Sequence, residues 1–312
     1  MRLGRVRHWV TVGSVCGVAA ATFGVAVLTE EDPPVVRIQQ TAVSNAVSAV
    51  AARDVESYWT PERMAKAAPV TGRDSTSGRT GVAGAARTAT TYDGVRTVGA
   101  LFFNNGAGDR YCTGVVVASR SKMLILTAAH CIHGGRGKGY ARKVAFVPQY
   151  DRGRRPFGTW PARRLFVHRL WATQSDPDVD YGVVSLHPRP SDKRRIQQVV
   201  GSNRIAINRG YVNTVYVTGY PRIRSDRRDR PIRCWTRTSR HSRFQIRMEC
   251  NGFYGGTSGS PWLLNFNSST GTGYINGVLG GYLAGGDVHW RSYAAYFDKD
   301  IMSLRGYADN HA

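Results

Sequence analysis

What most limits the fold of this chain is its texture after Val95. Short β-branched or aromatic runs follow one another at Val98–Phe103, Gly114–Val117, Met123–Leu126, Val144–Val147, Leu165–Val167 and Tyr181–Leu186. They continue at Val212–Val217, Phe244–Met248, Pro261–Phe266, Tyr274–Leu279 and Val288–Tyr296. Gly, Pro, Asn and Asp punctuate them, as turns between strands require. Almost no helical period interrupts the series, so the pattern is that of an all-β sandwich or barrel. One helix is expected near the end, where Asp298 caps a turn that sets Ile301 and Leu304 on one side. A chain of 312 residues is long enough to bury a real core around such strands.

Upstream the texture differs. Ile38–Trp59 is alanine-rich, with Val43, Val47 and Val50 at helical spacing, and Thr60-Pro61-Glu62-Arg63 reads as a second helix start. Residues 69–95 are rich in Gly, Ser, Thr and Arg without apolar period, which marks a linker. At the start, Arg2, Arg5 and Arg7 precede an uncharged, mostly apolar run from Trp9 to Leu28, and Glu30, Glu31 and Asp32 follow. That is the layout of a secretory signal, and the run is also long enough to stay as an uncleaved anchor. The expected organisation is a signal over 1–32, a propeptide or spacer over 33–95 and a folded domain over 96–312. The protein is then expected outside the cell, with membrane contact only if the signal is retained.

Cys16 leaves with the signal, so Cys112, Cys131, Cys234 and Cys250 remain, an even number in an exported chain. Four cysteines allow three pairings, of which 112–131 with 234–250 closes two short loops. A metal site lacks a Cys-x-x-Cys pair to anchor it, and no metal or other cofactor is expected. Charge is lopsided: 43 Lys+Arg against 21 Asp+Glu, a formal +22, nearly all of it arginine. This favours anionic surfaces, or it is solubilising charge. Arg222, Arg224, Arg227, Arg228, Arg230, Arg233, Arg237, Arg240, Arg243 and Arg247 crowd one region. They would suit an anionic cell-wall polymer or an acidic protein, or form a solvated loop. Only Trp235 and Phe244 interleave with them, which argues against a dedicated nucleic-acid module.

Three segments carry chemistry. Leu126-Thr127-Ala128-Ala129-His130-Cys131 ends an apolar strand. Asp178-Val179-Asp180-Tyr181 enters another, and Gly255-Gly256-Thr257-Ser258-Gly259-Ser260-Pro261 is a glycine-rich turn entering a third. A serine hydroxyl is a weak nucleophile at neutral pH and needs a base such as the His130 imidazole. A buried carboxylate must hold the imidazole's tautomer, and Asp180 is favoured over Asp176 and Asp178 because it directly precedes the apolar strand. Glycines around Ser258 leave amide hydrogens uncovered, so the N–H groups of Gly256 and Ser258 are candidates to hold a developing oxyanion. His133, His168, His187, His241 and His289 read as surface or packing residues.

In the order His, Asp, Ser, these segments resemble the chymotrypsin-like serine peptidases over roughly residues 95–309. Within them the chain is similar to the bacterial glutamyl-endopeptidase-like branch. Thr257 stands where the animal digestive enzymes carry an acid, and Val217-Thr218-Gly219-Tyr220-Pro221 and the short span from Asp180 to Ser258 also resemble that branch. The resemblance implies two perpendicular six-stranded antiparallel β-barrels with a cleft between them, and a Cys112–Cys131 bridge beside the histidine. It implies a secreted endopeptidase acting on proteins or peptides through an acyl-enzyme.

By alignment with that family, Gly252 and Phe253 form the floor and wall of the specificity pocket, with Leu279, Gly280 and Gly281 along one strand. No acid sits there, which disfavours Lys or Arg substrates. Leu279 replaces the histidine of Glu-specific relatives, which leaves apolar or small residues. With Thr257 in place of the acid, the usual activating ion pair cannot form. The 33–95 segment would act by covering the cleft or templating the barrel, with cleavage within Arg87–Arg96. Two rivals stand beside this reading: a peptidase-fold protein that binds anionic polymer through its arginines, and an esterase with the same three residues.

Overall fold

A computed structural model of the chain describes residues 42–46, 49–70, 87–189, 191–221 and 230–312. The expected signal over 1–32 lies outside the described residues, as do Arg222, Arg224, Arg227 and Arg228. The described chain opens with β1 (Ala42–Ala46), α1 (Ala49–Tyr58), α2 (Pro61–Lys66) and β2 (Ala68–Pro69), and resumes at β3 (Thr90–Thr91). The first barrel then takes β4 (Val98–Asn104), β5 (Asp109–Val116), β6 (Leu124–Thr127), the short α3 (Ala129–Ile132), β7 (Arg142–Pro148), β8 (Trp160–His168), α4 (Arg169–Gln174) and β9 (Gly182–Leu186). Its strands run in the order β8-β7-β4-β5-β6-β9, and pairing of β9 back onto β8 closes the six-stranded ring. Closure leaves no end strand in the ring; Leu101 and Phe146 share one face of β4 and β7, while Phe102 on the other face packs against Trp59 and Tyr150.

After α5 (Ile196–Val200) and β10 (Arg204–Ile205), the second barrel takes β11 (Thr214–Gly219), β12 (Ile232–Arg240), β13 (Gln245–Glu249), β14 (Pro261–Asn267), β15 (Thr272–Val278) and β16 (Arg291–Ala295). The strand order is β15-β14-β11-β12-β13-β16, and just beyond β15 the Gly280 N–H reaches the Tyr293 carbonyl of β16 at 3.0 Å. Val215, Val217, Ile246, Met248 and Trp262 are at its core. Finally α6 (Lys299–Asn310), capped by Asp298, returns to the first barrel. There its Asp309 carboxylate accepts the N–H groups of Arg120 and Ser121 at 2.9 and 2.8 Å.

Several elements differ from the sequence reading. The helix expected from Ile38 begins only at α1, because residues 42–46 pair antiparallel with the half of β8 that β7 leaves open. An open edge in three dimensions outweighs a weak alanine-rich preference. Strand β12 was not foreseen: Ile232, Cys234 and Thr238 face inward, but Arg233, Trp235 and Arg237 alternate outward and hide the apolar period. The short helices α3, α4 and α5 were also not foreseen, and α6 runs past Leu304 to Asn310. Within the expected linker, Thr90 and Thr91 pair with Arg233 and Ile232 of the second barrel.

Residues 42–70 pack as part of the first barrel. Thr60 caps α2 as expected, its Oγ1 accepting from the Arg63 N–H. Trp59 is fully buried against Phe102, and its Nε1 donates to the Lys143 carbonyl at 2.5 Å. Met64 is buried in the same core cluster, while Tyr58 Oη donates to Asp109 at 2.5 Å.

Candidate active site

The first barrel brings two predicted side chains together. His130 lies in α3, just past the end of β6, and Asp180 follows a 3-10 turn over Pro177–Val179 that leads into β9. Asp180 Oδ2 lies 2.7 Å from His130 Nδ1, and its Oδ1 accepts the His130 backbone N–H at 2.9 Å. From the second barrel the Gly281 N–H donates to the same Oδ2 at 2.8 Å. The carboxylate is 0% exposed, so its three hydrogen bonds replace the water it has lost. A carboxylate only accepts, which puts the Nδ1 proton on the bond to Asp180 and leaves Nε2 as the basic lone pair. The neighbouring acids do other work. Asp176 caps the 3-10 turn by accepting the Asp178 N–H at 2.9 Å, and Asp178 faces Gln245.

Ser258 arrives on the glycine-rich turn of the second barrel. Both Ser258 Oγ and His130 Nε2 are buried atoms without a hydrogen-bond partner among the described residues. The N–H groups of Gly256 and Ser258 donate to no acceptor among the described residues. Thr257 is fully buried, and both its Oγ1 and its N–H reach the Tyr254 carbonyl, at 2.7 and 3.3 Å. The turn therefore holds its shape without an acid at this position. Gly256 has φ +96°, and a Cβ there would sit 2.5 Å from the Tyr111 ring. Only glycine fits both restrictions.

Sequence reasoning missed Thr113, which joins this turn to the first barrel. Its N–H donates to the Ser258 carbonyl at 2.7 Å and its Oγ1 to the Gly256 carbonyl at 3.1 Å. The same hydroxyl accepts the Tyr220 N–H at 3.0 Å. No local signal marks it, because its partners are far away in sequence.

Of the expected pocket residues, Phe253 and Leu279 are fully buried in the core of the second barrel. A Cβ on Gly252 would meet that of Ala89 at 3.4 Å, so the strand around Thr90 runs beside it. Gly280 passes so close to the catalytic candidates that a Cβ would lie 3.0 Å from Asp180 Oδ2.

A family model described as the trypsin-like peptidase domain matches residues 112–269, just over half of the chain. The chain belongs to the trypsin-like peptidase family. Among solved structures, the protease Anisep from Arthrobacter nicotinovorans is 26% identical with a TM-score of 0.64, covering 72% of this chain and 100% of that one. The thermostable serine protease AL20 from an extremophilic microorganism is 28% identical with a TM-score of 0.61, covering 70% and 98%. A Glu endopeptidase structure, at 18% identity and a TM-score of 0.57, covers 72% of this chain and 97% of its own and shares the fold. In sequence, the extracellular metalloprotease of Bacillus subtilis (strain 168) is 26% identical over 81 residues, 26% of this chain. The match spans 25% of that curated relative's length.

In this trypsin-like peptidase the disulfides are Cys112–Cys131, which links β5 to α3 beside His130, and Cys234–Cys250. Cys112, His130 and Cys131 are the one set of three donors among the described residues close enough to share an ion. Their sulfurs are consumed by the disulfide, and His130 Nδ1 by Asp180. His133 and His168 are buried, and burial lowers the pKa of each. His241 packs on Tyr282 and Tyr293, and His289 stacks on Tyr254. Among the described arginines of the basic region, Arg230 pairs with Asp93, Arg247 Nε donates to Ser239 Oγ, and Arg233, Arg240 and Arg243 lie over Tyr92, Tyr211 and Phe244.

Proposed function

We propose that this protein is an exported serine endopeptidase using Ser258 as nucleophile, His130 as general base and acid, and Asp180 as the group that orients and stabilises the imidazole. The observation that carries the reading is the buried Asp180 carboxylate 2.7 Å from His130 Nδ1, with Nε2 and Ser258 Oγ both left unpartnered. Ser258 Oγ attacks the scissile carbonyl while its proton passes to His130 Nε2. The oxyanion takes the free N–H groups of Gly256 and Ser258, a contribution of about 3–4 kcal/mol to barrier lowering in comparable sites. Collapse expels the amine, which receives the proton from Nε2, and water then hydrolyses the acyl-enzyme by the same steps. A pre-steady-state burst with an activated ester, lost in Ser258→Ala, is expected. Equal hydrolysis by wild type and Ser258→Ala would overturn the reading. A metal-dependent mechanism, which the name of the Bacillus subtilis relative would bring, does not fit these donors, because the sulfurs beside His130 are disulfide-bonded.

The pocket reading is an apolar or small residue before the scissile bond, supported by the absence of any charged side chain at Gly252, Phe253 and Leu279. A peptide library cleaved chiefly after Glu, Lys or Arg would contradict it.

The 33–95 segment is a propeptide in this account. Support comes from β2, which pairs with Arg110 and Tyr111 of β5. This is the edge from which Thr113, two residues on, holds the Ser258 carbonyl. Because the N–H groups of Gly256 and Ser258 meet no acceptor among the described residues, the reading is inhibition by occlusion rather than by an unformed oxyanion site. The uncut chain should then hydrolyse a peptide substrate more slowly than the form cut within Arg87–Arg96. Equal turnover by both forms would reject occlusion. Release by cleavage within Arg87–Arg96 predicts a mature N-terminus there, and a secreted form beginning near Thr29 would contradict it.

Export rests on the signal-like layout of residues 1–32. No described helix is long and apolar enough to cross a membrane. Contact with anionic cell-surface polymer or acidic protein is supported by the formal charge of +22. Such contact predicts retention on polyanion beads that weakens with salt; retention unchanged by 1 M salt (a Debye length of about 3 Å) would exclude it.

A further inference from the structure

The Asp180 carboxylate is gripped from both barrels. His130 donates to it from the first, and the Gly281 N–H from the second. That grip holds only if the turn carrying Asp180 and the segment after β15 that carries Gly281 keep their relative position. One buried side chain spans the two. Gln245 opens β13 and is 3% exposed. Its Nε2 donates to the Pro177 carbonyl and to Asp178 Oδ1, both at 2.8 Å, within the 3-10 turn that leads to Asp180. Its Oε1 accepts the Tyr282 N–H at 3.3 Å, the amide next to Gly281. Contact with that segment is close: Gly281 has φ +74°, and a Cβ there would fall 2.3 Å from Gln245 Oε1.

We propose that Gln245 is a positioning residue for the triad, an amide strap that fixes the Asp180 turn against the Gly281 segment. Only a primary amide has the two donors and the acceptor that these partners need. Leucine is similar in size but would leave the Pro177 carbonyl, Asp178 and the Tyr282 N–H unpaired in a buried place. Glutamate keeps the acceptor, loses both donors and sets a second carboxylate against Asp178. Displacement of a catalytic group by about 1 Å can cost about 100-fold in rate. The residue therefore acts through Asp180 and needs no contact with substrate.

The proposal rests on Asp180 serving the triad, and its test separates the two claims. The first measurement is kcat per active site, with sites counted by fluorophosphonate titration. Gln245→Leu should lower it by about 10- to 100-fold with KM little changed. Gln245→Glu should do the same or worse, and adding Asp178→Asn should restore part of the loss, because the Asn amide can donate back to the glutamate. The second measurement needs no turnover: the low-field proton resonance of His130 Nδ1–H should move or broaden in Gln245→Leu. If wild type shows this resonance but no titratable serine, the peptidase reading fails and the strap is judged on the resonance alone. An unchanged resonance, or an unchanged kcat per titrated site with only melting temperature or site count reduced, would overturn the strap.

Discussion

The two barrels contribute different kinds of group to the site. From the first come side chains, His130 and Asp180, each held by hydrogen bonds to named partners. From the second come Ser258 and a set of backbone N–H groups, on Gly256, Ser258 and Gly281, in turns that side chains would block. The contrast teaches where each half is vulnerable. A side chain can be exchanged while its surroundings stay put. A backbone donor can only be disturbed through the glycine that gives it room.

The first barrel's half should show the largest effect. Asp180→Asn keeps the shape but can present an N–H to Nδ1, and kcat should fall by about 10,000-fold with melting temperature nearly retained. A loss under tenfold would remove Asp180 from the triad. Next is Trp59→Ala, measured by denaturant unfolding of the full chain, with a cost of about 3–5 kcal/mol. It would sharpen the comparison by showing that the first barrel's core extends into residues upstream of it. A cost below 1 kcal/mol would mean the segment is only laid on the surface.

On the second barrel, Gly256→Ala should lower kcat by about 100- to 1,000-fold, the scale of losing one oxyanion donor. Tyr111→Ala in the same chain should recover only part, since the positive φ remains unfavourable for alanine. Full recovery would reduce the glycine requirement to a clash. The smallest effect concerns pH. His133 Nδ1 accepts the Gly135 N–H and His168 Nδ1 the Leu170 N–H, and burial holds both pKa values below the ordinary one. A folded pKa below the unfolded value means that the unfolded state binds protons first. Stability should therefore fall as pH drops below about 6.5 and continue falling toward the folded pKa. Melting temperature should decline over that range, and less so in His133→Asn; identical declines would clear His133 of the effect.

How far the sequence could be read follows the same division. His130 and Ser258 lie in motifs whose residue types the chemistry demands, and Asp180 is marked by the apolar strand it enters. The strands of the first barrel are apolar on a scale that composition reveals. Strand β12 escaped because arginines occupy its outer face, and β1 because its partner edge exists only once β8 has folded. Thr113 and Gln245 were invisible for a further reason. Thr113 bonds to Gly256 across 143 positions and Gln245 to Pro177 across 68, and neither sits in a local pattern that announces such a reach.

The account stands or falls on Ser258 as the nucleophile that His130 and Asp180 activate. Mass mapping of the purified protein after reaction with a fluorophosphonate tests this directly. One phosphonyl adduct on the peptide carrying Ser258 is predicted for wild type, strongly slowed in His130→Ala and in Asp180→Asn. A folded wild-type protein that takes no adduct, or takes it on another serine, would contradict it.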